Sequence, residues 1–334
     1  MTIRERLEQE EHLRLASYAT FADKSRGRDR QEPERDDRTC YQRDADRILH
    51  SRAFRRLMHK TQVFLQPEGD HYRTRMTHTL EVSRIGRTIA RALRLNEDLT
   101  EAIVMGHDLG HTPFGHAGEL ALTEVLGKPF YHNEQSLRVV EKLEKNGEGL
   151  NLTYEVRRGI VGHTGPEIPE TLEGQIVRYA DRIAYINHDI DDAVRAGILK
   201  NQDIPREIAQ VLGETHSERI NTLVGDLVSA SMDRPIIAMT EEIEQAMLSL
   251  REFMFERVYR NPVAKSEESK ARIIIQELYR YYLANPDKLP ADFQPQLDIE
   301  GLPRVVCDYV AGMTDKYAIY KFSELYIPSA WQVR

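Results

Sequence analysis

Cysteine is nearly missing from this 334-residue chain: Cys40 and Cys307 stand alone. Two thiols cannot build a disulfide framework, and their scarcity points to a reducing compartment. No apolar run approaches the ~18 residues that a membrane span requires, and the opening MTIRERLEQEEH has no hydrophobic segment behind its charges. The expectation is a cytoplasmic protein without a membrane partner. Neither GxxxxGK followed by Ser or Thr nor GxGxxG occurs, which argues against P-loop and dinucleotide chemistry. An excess of positive charge is also missing. The formal net charge of -8 argues against a surface that is a nucleic-acid footprint throughout, and leaves open a local basic pocket. Strand signals are few, with residues 62–65 the one extended piece of note, closed by Pro67, Glu68 and Gly69.

What the chain has is helical periodicity. Apolar residues recur at a 3.6-residue spacing over residues 4–16, 43–60, 75–94, 97–107, 132–145, 172–196, 204–212, 216–231, 240–260, 266–284 and 303–318. The class expected is all-α: one compact multi-helix domain with a small C-terminal helical subdomain. Residues 1–42 read as an N-terminal helix followed by a charged arm, mobile or tied against another subunit, because 23–37 hold almost nothing to bury. Residues 43–262 read as the catalytic domain and 263–334 as a helical region packed on it, with polar residues 265–270 as a hinge. The helix over 43–60 carries Arg43, Arg47, Arg52, Arg55 and Arg56, which is either a solvated basic face or a phosphate-recognising one.

The densest chemistry is the run MGHDLGHTPFGHAGE at residues 105–119. Its histidines and carboxylates form the ligand set of a borderline-hard divalent metal, and its glycines make it a shaped loop. His116 and Glu119 are three apart and share a side of the helix that resumes there. Two further helices offer partners: His78 with Arg75 on 75–94, and Asp181, Tyr185, His188, Asp189 and Asp192 along one stripe of 172–196. His78, His107, Asp108 and Asp181 together give imidazoles and carboxylates that leave positions open for water and a phosphate oxygen. Sequence spacing alone does not bring these helices together.

The order His78, His107-Asp108, Asp181 resembles the HD phosphohydrolase superfamily. The flanks RTRMTHTLEVSRIGRTIAR, GHDLGHTPFGHAGE and RYADRIAYINHDIDDA, with HSRAFRRLMHKTQVF and DYVAGMTDKYA, resemble the bacterial dGTPase-like dNTP triphosphohydrolases over nearly the whole chain. That resemblance implies an HD-domain helical fold and hydrolysis of a deoxynucleoside triphosphate to deoxynucleoside and inorganic triphosphate. It implies one divalent metal (Mg, Mn, or a transition metal such as Fe, Ni or Zn) on His78, His107, Asp108 and Asp181. His116 with Glu119 becomes the proton-handling pair, His111 counts with them among the catalytic residues, and His111 and His132 line the phosphates. Arg56, Gln62, Arg75, Arg182, Tyr185 and Asp189 match positions that contact sugar and phosphates. Homo-oligomers, often hexamers, are common in the family, and some members respond to a dNTP activator or to single-stranded DNA. The other readings are an HD-type nucleotide monophosphatase or phosphodiesterase, and a non-catalytic dNTP sensor.

Overall fold

Ser51 interrupts what the periodicity presents as one arginine-rich helix. In the computed structural model the chain runs through α1 (Ile3–Arg14), α2 (Cys40–Leu49) and α3 (Arg52–Arg56), then a 3₁₀ turn at Leu57–His59. The Ser51 hydroxyl accepts the Phe54 amide at 3.1 Å, so the helix restarts there instead of continuing. There follow α4 (Arg75–Ala92), α5 (Glu97–His107), α6 (His116–Leu126), α7 (His132–Arg138), α8 (Tyr154–Gly162), α9 (Leu172–Arg195), α10 (Arg206–Leu212), α11 (His216–Ser231) and α12 (Glu241–Met254). The C-terminal part holds α13 (Pro262–Ala284), α14 (Leu297–Glu300), α15 (Leu302–Ala311) and α16 (Asp315–Tyr326). The described residues are 1–33, 35, 37–62, 73–259 and 262–328, without the side chains of 262–266. Among them β-pairing is limited to isolated bridges, Arg28 with Thr153 and Thr61 with Thr74. The fold is all-α. Most of the extended piece at 62–65 and the turn at 67–69 lie outside the described residues.

Several boundaries depart from the periodicity for local reasons. The helix over 132–145 passes into a π-helical turn at Val139–Leu143. The segment over 303–318 is two helices, because Thr314 caps α16 by accepting the Tyr317 amide at 3.2 Å. The polar residues 265–270 lie inside the continuous α13 and make no hinge there. Helix α8 was not anticipated.

The charged arm is tied down where it is described. Arg28 donates to Asp44 and, at 2.6 Å, to the Asn151 carbonyl, while Glu32 accepts from Arg43 at 3.1 Å and from Arg47. Arg43 and Arg47 are therefore occupied in holding the arm.

Two apolar cores matter for the site. The first is centred on α9, whose Ile176, Val177, Ala180, Ile183 and Ala184 are fully buried, and α4 and α5 add Val82, Ile89, Ile103 and Val104. The second joins Ala117, Ala121 and Leu122 of α6 to Ile275 and Leu278 of α13 and Val306 and Val310 of α15. The loop between α5 and α6 crosses from one core to the other, carrying His111 and flanked by His107 and His116.

Candidate active site

Each helix delivers its polar residues to the crossing point by its own geometry. On α4, Arg75 and His78 are one turn apart on the buried side. Helix α5 ends at His107, with Asp108 as its C-cap residue. His107 Nδ1 donates to the Val104 carbonyl at 2.7 Å, so its Nε2 carries the lone pair. That Nε2 is buried without a hydrogen-bond partner. It lies 3.4 Å from Asp108 Oδ1 and 3.8 Å from Asp181 Oδ1, and His78 Nε2 is 3.0 Å from the same Asp181 oxygen. Ligand atoms of His78, His107 and Asp108 all fall within 4.8 Å of one another. An orphaned imidazole nitrogen facing imidazole and carboxylates fits a divalent cation.

The electrostatics agree with that fit. Burial opposes ionisation of Asp108 and Asp181, but the neighbouring histidines, together with Arg75 at Asp108, outweigh it and hold both carboxyls below their usual range. Arg75 Nη1 donates to Asp108 Oδ2 at 3.0 Å with both side chains buried.

Beside this cluster stands a second one, organised by Glu119 on α6. Its Oε2 accepts from His116 Nδ1 at 3.1 Å and its Oε1 from His132 Nδ1 at 2.8 Å. Burial works against the Glu119 charge, and the bonds from His116 and His132 override it, so Glu119 ionises well below the normal carboxylate range. His116 is raised by its bond to Glu119, against a smaller desolvation effect. Its side chain is 83% exposed, leaving Nε2 open to an incoming molecule. His111 links the clusters, with Nε2 3.0 Å from Asp108 Oδ1 and its ring stacked 3.9 Å from that of His132. Burial, then Arg75 and His132, push His111 well below the ordinary imidazole value, so it is neutral.

The other anticipated residues divide. Gln62 is half-buried, with its Oε1 unpaired and its backbone near Gly115. Tyr185 accepts from Arg251 at 2.8 Å, and Asp189 is buried and accepts from the Tyr259 hydroxyl. Burial raises Asp189 to about 7 despite that bond. Arg182 lies one residue beyond Asp181 and is half-buried. Arg56 is placed elsewhere: it donates to the Gly312 carbonyl at 3.2 Å and lines a separate cavity of about 80 Å³ with Lys60 and Asp308.

Sequence reasoning missed His163 and Tyr259. His163 Nδ1 bonds the Ile160 carbonyl at 2.7 Å and its Nε2 meets His132 Nε2 at 3.2 Å. Burial, with His107 and His132, lowers His163 to about 3, so its free nitrogen accepts from His132. Its presence on the unanticipated α8 end hid it. Tyr259 reaches Asp189 across 70 residues of chain, and no spacing signals that.

The loop owes its shape to close approach. A methyl group added at Gly110 would lie 2.1 Å from the Ser136 amide nitrogen and 2.4 Å from the His132 carbonyl. Gly110→Ala is expected to destabilise the protein by about 1–3 kcal/mol. A chemical-denaturation midpoint equal to that of the wild type would show that α7 can yield there.

Known proteins place this arrangement. Residues 75–186 match the HD domain family and residues 237–324 the phosphohydrolase-associated domain. A deoxyguanosinetriphosphate triphosphohydrolase-like protein of Caldanaerobacter subterraneus is 55% identical over 99% of this chain and 98% of its own length. The chain belongs to that family. Other dGTP triphosphohydrolase-like relatives are 49% identical in Clostridium perfringens, over 98% of both chains, and 40% identical in Geobacter sulfurreducens, over 95% and 96%. A phosphohydrolase from Bacteroides thetaiotaomicron shares the fold, with a TM-score of 0.52 at 17% identity over 84% of this chain and 67% of that one. As a dGTP triphosphohydrolase-like HD protein, this chain is a phosphohydrolase, and its His/Asp cluster can accept a metal ion. No helix among the described residues is long and apolar enough to cross a membrane.

Proposed function

We propose that this protein hydrolyses deoxynucleoside triphosphates to deoxynucleoside and inorganic triphosphate. The observation that carries the reading is the exposed His116, bonded to Glu119, set beside buried His78, His107 and Asp108 and partly buried Asp181, with His111 bridging them. Those four side chains would hold one divalent ion, which supplies Lewis-acid polarisation of a phosphoryl oxygen and acidifies bound water. Water attacks the α-phosphorus and the bond to O5′ breaks. His116, charged through Glu119, hands its Nε2 proton to the departing O5′. Arg75, His132 and Arg182 balance phosphate charge, while Gln62, Tyr185 and Asp189 receive the deoxyribose. Arg56, turned toward Gly312, would have to reorient to reach substrate. The names of the relatives support the substrate class. A cytoplasmic homo-oligomer with a second, activating dNTP site is the accompanying expectation.

The test is a panel of single and mixed dNTPs and NTPs with Mn²⁺. Release of inorganic triphosphate is the expected result, whereas orthophosphate or pyrophosphate points to a monophosphatase or phosphodiesterase. Failure to turn over any nucleotide points to a sensor. Turnover only in mixtures identifies an activator site.

The acid role also predicts a pH dependence. Because Glu119 raises His116, activity that needs protonated His116 is present at lower pH and lost as pH rises through the folded value. Glu119→Gln removes that support, so the alkaline limb of kcat should move to lower pH. A limb that stays in place would assign it to another group.

A further inference from the structure

The site is assembled from two cores. His78, His107, Asp108 and Asp181 stand on or directly after α4, α5 and α9, whose apolar faces share the first core, whereas His116 and Glu119 stand on α6, which is buried in the second with α13 and α15. Packed interiors move as units. The distance between the proton-handling pair and the metal ligands is therefore set where the cores are tied.

The ties meet at Lys60, Thr61 and Asp315. Lys60 is 2% exposed, and its Nζ donates to the His111 carbonyl and, at 3.0 Å, to that of Ala311 at the end of α15. The Lys60 carbonyl accepts the Arg75 amide at 3.1 Å, at the start of α4. Asp315 is 1% exposed; one oxygen accepts the Phe114 amide at 2.9 Å, and the other accepts both the amide, at 2.9 Å, and the hydroxyl of Thr61. A methionine would fill the volume of Lys60 without the cost of burying an amine, so packing does not account for this residue. Phe114 and Gly115 have φ of 62° and 54°, a left-handed pair that a bulky Phe adopts only when its surroundings hold it. Asp315 holds Phe114 in place, two residues before His116.

We infer that Lys60 and Asp315 are positioning residues that fix His116 and Glu119 in register against the metal ligands. The inference rests on the hydrolysis proposed above.

The test uses the full chain. Asp315→Asn keeps the shape and loses an acceptor, and it should lower kcat about 10–100-fold with KM little changed. Mn²⁺ affinity, measured by titration of the metal-free protein, should stay within about twofold, since the clamp sets the register between the two groups and not the ligand set. Thr61→Val, which is gentler on folding, should lower kcat in the same direction, and Thr61→Ser should restore it. Lys60→Met should match Asp315→Asn. Unchanged kcat in these variants, or Mn²⁺ affinity falling in step with kcat, would overturn the inference. A readout without substrate separates it from the proposed function: labelled-histidine NMR should show the His116 ring displaced in Asp315→Asn, with His78 and His107 unmoved. If the wild type cleaves no dNTP, the proposed function fails, and an unmoved His116 ring would still refute the clamp.

Discussion

Asp108→Ala is expected to lower turnover to the background rate and to weaken the fold at the same time. Asp108 serves three neighbours: it faces His107 Nε2 at 3.4 Å, accepts from Arg75 at 3.0 Å, and lies 3.0 Å from His111. Without it, the proposed ligand set loses a carboxylate and the Arg75 guanidinium, 3% exposed, loses the carboxylate it pairs with among the described residues. Breaking a buried pair from one side costs about 3–5 kcal/mol. Urea denaturation of the metal-free protein should show that loss, and Mn²⁺ titration should show no site. Asp108→Asn keeps an acceptor for Arg75, so it should recover part of the stability and little of the turnover. Full activity in either variant would remove Asp108 from the metal set.

His116→Ala has the opposite profile. A positioned general acid contributes about 10²–10⁴-fold to rate, and kcat should fall by that much. Stability should stay within about 0.5 kcal/mol because the side chain is 83% exposed. Metal affinity should be unchanged, since His116 bonds Glu119 and none of the four proposed ligands. Steady-state kinetics beside a thermal melt check this. An unchanged kcat would assign the leaving-group proton to another donor.

These variants separate two groups that are neighbours in sequence. His111 lies in the loop and His116 opens the helix five residues later, yet His111 is buried and neutral while His116 is open and raised. Composition shows a cluster of histidines in a glycine-bearing loop. The division of labour comes from the surroundings of each ring: at His111 burial, Arg75 and His132 outweigh the nearby Asp108, whereas His116 pairs with Glu119 and stands open to solvent.

The helical class and most helix positions were readable from the 3.6-residue period alone, because burial of one helical face is a local pattern in the chain. Pairs such as His116 with Glu119 and Arg75 with His78 were readable for the same reason, since residues three apart share a face. The exceptions have short-range causes that periodicity does not encode: the Ser51 cap that divides the arginine-rich helix, and the Thr314 cap that separates α15 from α16.

Contacts across the chain were not readable. Asp181 meets His78 over 103 residues, Tyr259 meets Asp189 over 70, and Asp315 meets Phe114 over 201. The arginines gave the clearest divergence. Arg43, Arg47 and Arg56 look alike in sequence, and the fold commits the first two to Glu32 and the third to Gly312. A guanidinium has the same charge wherever it goes, and which acceptor it finds depends on how helices distant in sequence pack. The sequence by itself therefore determined an all-α chain with metal-ligand chemistry on helix faces. The packing of two cores decided which of those faces meet, because long-range contact is a property of packing and not of period.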